Sequence, residues 1–169
     1  MLHLDPIPLN GSRTDAMKSL EQFSIGLSGS ERTITSLQRW RPEICFSHNM
    51  RDLELERQLF SLGPVVKFMH GYFGTCIGGQ KTLSALGMKP CSRTFGAPCV
   101  AMYLPRRCGQ FGLSVLASQY GWALEQRALF SGYRAIVVAS QHMRNEFAEQ
   151  RRGQAKGPRE SALLGPTDC

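Results

Sequence analysis

Two histidines, one serine hydroxyl and four cysteines are the chemically most pointed residues of this 169-residue chain. His70 closes the apolar run Val65, Val66, Phe68, Met69, and Gly71-Tyr72 follow it directly. His48, with Asn49, closes a second apolar run, Ile44 to Ser47. Ligands of open parallel sheets bind outside the carboxyl ends of the strands, so His70 stands where chemistry can happen. The plainer role, capping its strand by bonding a loop carbonyl, stays open beside it. Cys76, Cys91, Cys99 and Cys108 are spaced C-x14-C-x7-C-x8-C. Cysteine zinc sites usually include tight C-x₂₋₄-C knuckles, which this spacing lacks. Zinc could still staple a loop too long to order itself; packed or unbound thiols are the alternative. Gly78-Gly79-Gln80-Lys81-Thr82 ends like a phosphate loop. That loop needs G-x-x-x-x-G-K-[ST] between a strand and a helix, so this match is rejected. Arg106-Arg107 is a solvated pair or a phosphate holder, since the guanidinium fork matches phosphate oxygens.

The elements that must position these residues follow from periodicity. Val65–Met69 lies between Gly63-Pro64 and Gly71 and reads as a strand buried on both faces. Ile44–Ser47 and Ala135–Ala139 are similar apolar runs. A helix is expected over about 14–20, capped by Thr14 or Asp15, with Met17 and Leu20 on one face. A second is expected from Ser30 to Arg39, opened by a capping box at Ser28-Gly29-Ser30-Glu31 and ended by Pro42. Arg51–Leu62 carries Leu55, Leu59 and Leu62 on one side, with Gly63 closing it. Leu113–Ser131 carries Leu113, Leu116, Tyr120, Leu124 and Ala128 inward, and Gly132 ends it. Gln141–Gln150 follows Ser140, a ready N-cap, with Met143 and Phe147 inward.

Strands alternating with helices predict an α/β chain with a partial Rossmann-like parallel sheet. Residues 1–30 form the lead-in, 31–150 the α/β domain and 151–169 a disordered basic tail. Within the domain, 71–110 is a long cysteine-containing loop without sustained period. Three strands leave an edge uncovered and need helices on both faces, so the chain reads as part of a larger α/β unit.

Composition bounds the partners. The length suits one domain, and 42% hydrophobic residues can build a core. No run approaches the roughly 18 apolar residues of a membrane helix, and the N-terminus has no signal-peptide pattern. A cytoplasmic location is expected, with six cysteines as thiols or metal ligands rather than disulfides. A net charge of +7 suits phosphorylated ligands or an anionic membrane surface. The basic tail lacks interleaved aromatics, so no nucleic acid is expected.

Three pieces, taken in order, resemble the N-terminal half of a family-4 glycosyltransferase of the GT-B type. They are R-P-E-I-C-F-S-H-N at 41–49, P-V-V-K-F-M-H-G-Y-F-G-T-C at 64–76 and L-F-S-G-Y-R-A-I-V-V-A-S-Q-H-M-R at 129–144. The resemblance covers roughly 36–150. It implies a Rossmann-like acceptor-side domain of an enzyme moving a sugar from a nucleotide-sugar to an acceptor. By that resemblance His70 is the catalytic residue nearest the reacting sugar. His48 lines the cleft, and Tyr72, Ser140 and Arg144 are cleft or acceptor contacts. No metal or cofactor is implied for catalysis. The sequence departs from the family at Gly71, where an acid is common, and in 1–30, which lacks the family's opening strand and Gly-rich loop. The donor-binding half is missing, so the chain resembles a fragment truncated at both ends and is expected to be inactive alone. The alternative is a non-enzymatic α/β binding module stapled by zinc on the cysteine loop.

Overall fold

The computed structural model describes residues 2–3, 23–48, 50–85, 87–152 and 162–164. Two short strands, β1 (Leu2–His3) and β2 (Phe23–Ser24), pair in parallel, and the one-turn helix α1 (Ile25–Ser28) follows. Then come α2 (Ser30–Trp40), β3 (Cys45–His48), α3 (Leu53–Leu59) and β4 (Val65–Met69). A small antiparallel pair, β5 (Thr82–Leu83) and β6 (Lys89–Pro90), precedes the short helix α4 (Ala97–Tyr103). The long helix α5 (Leu113–Ala128), β7 (Ala135–Val138), α6 (Gln141–Arg152) and β8 (Ala162–Leu164) complete the order.

The main sheet runs β3-β4-β7-β8, and every neighbouring pair is parallel. This makes the chain α/β, with a parallel sheet and helices in the connections. The sequence predicts three of these strands. The fourth, β8, lies in the expected disordered tail and covers the far edge of β7, while Arg151 and Arg152 continue α6. The helix expected at about 14–20, Asn49 and the rest of the tail lie outside the described residues.

Local chemistry sets the helix ends. Asp52 caps α3 by accepting from the Leu55 amide at 3.0 Å. After Leu59 the chain tightens into three-residue turns, Phe60 to Arg57, Ser61 to Gln58 and Leu62 to Leu59, so α3 is shorter than expected. The capping box expected at Ser28–Glu31 is absent. Ser28 ends α1, Gly29 takes the cap position at φ 77°, and Thr33 Oγ1 donates to the Gly29 carbonyl at 2.7 Å. At the far end Arg41 adopts a left-handed φ of 53° and its amide reaches the Leu37 carbonyl.

The core sits on one face of the sheet. Val65, Met69, Ile136 and Val138 pack with Ile34 and Leu37 of α2, Leu55 and Leu59 of α3, and Met143 and Phe147 of α6. The expected burial of β4 on both faces does not hold. Val65, Lys67 and Met69 are buried, but Val66 and Phe68 on the opposite face are only half-buried, and Phe46 beside them is 61% exposed. The run reads as nearly all apolar because the open face, Val66 and Phe68, is apolar and aromatic too.

The stretch 71–110, expected as a long cysteine-containing loop without sustained period, is packed where it is described. Ile77, Phe95 and Tyr103 form a second core with Leu116 and Ala123 of α5. Its elements are two to seven residues long, too short to register as a period. Of the residues expected inward on α5, Leu116 and Tyr120 do pack on this second core, but Leu113, Leu124 and Ala128 do not. Leu113 is 73% and Leu124 45% exposed, whereas Ala123 and Gln126 are buried. Gln126 is held inside because its amide donates to Tyr133 Oη at 2.9 Å. Among the described residues no helix is long and apolar enough to cross a membrane.

Candidate functional site

His48 is the last residue of β3, and His70 follows directly on β4. In the parallel ladder His48 pairs with Phe68, so His70 lies one pleat further along the same face. The two exposed imidazoles meet edge to face, with centroids 4.3 Å apart and planes at 89°, and their Nε2 atoms are in direct contact. Phe68 backs both rings, 5.7 Å from His48 and 4.5 Å from His70, and Phe46 stacks on His48 at 6.5 Å. Strand direction and register bring together two rings that the sequence places at separate strand ends.

The other expected site residues share this carboxyl rim but not this contact. Tyr72, half-buried, faces the ring of His142 at 6.1 Å. Burial, and secondarily the Glu146 carboxylate, pushes the Tyr72 phenol up. Ser140 is the N-cap of α6: its Oγ accepts from the Met143 amide at 3.2 Å. Its carbonyl accepts from the Arg144 amide at 3.0 Å. Arg144 is half-buried on the first turns of α6. Gly71 has a steric reason. A Cβ there would stand 2.9 Å from the Gly79 carbonyl oxygen and 3.1 Å from the Phe73 ring, so no acidic side chain fits without movement. The Tyr72 amide donates to that same carbonyl at 2.8 Å, which fixes the approach.

Two buried ion pairs escape periodicity altogether. Lys67, inside the apolar run of β4, turns into the core and donates to Glu56 at 2.7 and 2.9 Å. Ser47 Oγ donates to the same carboxylate at 2.6 Å. Burial lowers the Lys67 pKa, and Glu56 opposes that shift. Tyr133 also bonds Glu56, and its phenol is pushed far above its ordinary value, first by burial and then by that carboxylate. The second pair is Lys81 with Glu146 of α6. Lys81 also donates to the Arg93 carbonyl at 2.7 Å, from a left-handed backbone at φ 54°. Lys81 thus ties the 71–110 segment to α6, which agrees with rejecting a phosphate loop there. The sequence signal for Lys67 was its presence within a short apolar strand.

The cysteines come into one neighbourhood. Gly78 packs so closely on the Cys108 carbonyl that a Cβ would come within 2.3 Å, and Cys99 and Cys108 both pack on the second core. Burial, and then the thiols of Cys91, Cys76 and Cys99, push the Cys108 thiol up. Among the described residues, however, no three His, Cys, Asp or Glu side chains are placed to hold a metal ion. Near Cys76 opens a cleft of about 290 Å³, lined by Arg51, Phe73, Ile77, Gly78, Ser118, Gln119 and Trp122. Arg51 caps it, its guanidinium 5.5 Å from the Trp122 ring and 5.8 Å from Phe73. No sequence pattern singled out this cleft.

No family model, no curated protein and no solved structure matches this chain.

Proposed function

We propose that the chain is the acceptor-side domain of a family-4, GT-B type glycosyltransferase. In this reading His70 is the catalytic residue and His48, Tyr72, Ser140 and Arg144 border the cleft. The observation that carries it is the shared carboxyl rim of three parallel strands, with His48 and His70 on β3 and β4 and Ser140 just past β7. That rim is where α/β sheets bind ligands. The reading needs neither metal nor cofactor. In this reading the chain by itself binds acceptor along the rim, and turnover of a nucleotide-sugar needs a donor-binding half in addition. Ligand-observed NMR with a panel of mono- and oligosaccharides tests it. Binding that weakens at least about tenfold in His70→Ala and in Arg144→Ala supports the reading. Sugars ignored by the wild type, or bound indifferently to both substitutions, oppose it. Turnover of a nucleotide-sugar by the purified chain would refute that need.

A second reading, a binding module stapled by zinc, draws on the gathering of Cys76, Cys91 and Cys99 around Cys108. As arranged, these thiols do not form a cage for an ion. Native mass spectrometry of chain prepared without added zinc decides: stoichiometric zinc with no sugar bound favours the module.

A further inference from the structure

We infer that His48 and His70 together bind a borderline-soft divalent cation, zinc foremost, through their two Nε2 atoms. The inference is independent of the sugar-transfer reading, since it needs only the two rings. A neutral imidazole offers one lone pair, and nitrogen ligands of this kind suit zinc, copper and nickel. Here two such nitrogens converge from adjacent parallel strands. A hydrogen bond between two neutral rings needs one Nε2 to carry the proton that the other accepts. Moving that proton to the far ring nitrogen and parting the rings by about 1 Å would let both lone pairs face one ion, since zinc–nitrogen bonds are about 2.0–2.1 Å. Phe68 and Phe46 brace the rings, so little rotamer freedom is lost on binding. Both histidines are exposed, so water or an incoming ligand atom can complete a tetrahedral shell. Hard cations find no match: magnesium and calcium require oxygen ligands, and no third His, Cys, Asp or Glu joins the pair among the described residues. His142 marks the contrast, because its ring faces Tyr72 and not a second imidazole.

Isothermal titration of the full chain with zinc chloride should give one ion per chain, and magnesium chloride should give no heat. His48→Ala and His70→Ala should each weaken zinc binding by about a hundredfold, as expected when a two-armed contact becomes one-armed. The double substitution should add little more, and His142→Ala should leave the affinity unchanged. Because free thiols also bind zinc, cobalt serves as a spectroscopic stand-in that tells sulfur from nitrogen ligands. An imidazole-held ion lacks the sulfur-to-cobalt charge-transfer band. Wild-type affinity in both single variants overturns the inference, as do equal loss in His142→Ala, a sulfur-to-cobalt band at the first equivalent, or no zinc binding. Far-UV circular dichroism checks that the variants keep their fold, and His70→Gln repeats the test with a polar replacement.

Discussion

Lys67 shows how a charge can be held inside an apolar strand. Within the run Val65–Met69 its ammonium is buried with Glu56 and Ser47 around it. Charges taken out of water demand compensation, and here each is held by the other and by hydrogen bonds. Lys67→Met keeps much of the volume but leaves Glu56 buried without its cation. We expect a loss of about 3–5 kcal/mol in unfolding free energy, measured by urea denaturation. Adding Glu56→Leu should recover a large part of it, since the uncompensated charge is then gone. The lysine's membership of a strand was legible in the sequence. Its partner was not, because nothing local tells which face of β4 meets α3.

Among the elements, α6 is the one whose start the sequence states most directly. Ser140 stands before a run with Met143 and Phe147 inward, and the structure has Ser140 as N-cap with both side chains buried. That hydroxyl is engaged by the Met143 amide, so its first measurable role is in stability. Ser140→Ala should cost about 1 kcal/mol, and Ser140→Asp should restore most of it, by thermal or urea unfolding. If the hydroxyl is also an acceptor contact, Ser140→Asp will keep the stability and lose sugar binding. The long helix α5 was less legible. Its stripe was half right: Leu116 and Tyr120 pack inward, but the helix packs on two cores at once, so Ala123 and Gln126 are buried while Leu113 and Leu124 are exposed. The capping box failed for a related reason: α1 occupies Ser28, so its hydroxyl cannot serve the start of α2.

For the whole molecule, the buried phenol of Tyr133 couples folding to alkaline pH. Its folded pKa is raised above the ordinary value of 10.0. Above that pH the unfolded chain loses the phenol proton while the folded chain keeps it, so the folded state binds more protons and stability falls as pH rises. Below pH 10.0 the contribution is fully present. Urea midpoints of the wild type should therefore decline more steeply between about pH 9.5 and 11 than those of Tyr133→Phe. The difference between the two curves removes the opposing contribution of Lys67, whose lowered pKa acts in both proteins. Equal slopes would mean that Tyr133 is not buried against Glu56 as described.

The sequence by itself determined three strand runs of the main sheet, their alternation with helices, and the polar residues at those strand ends. These follow from interactions within a few residues, where turn chemistry and hydrophobic period act. The tertiary structure alone decided that His48 and His70 touch across 22 residues and that Lys81 meets Glu146 across 65. It alone left one face of the sheet half-bare and packed the stretch 71–110 against α5. Such contacts depend on strand register and helix rotation, which are set by the joint packing of distant segments and leave no periodic trace in either partner.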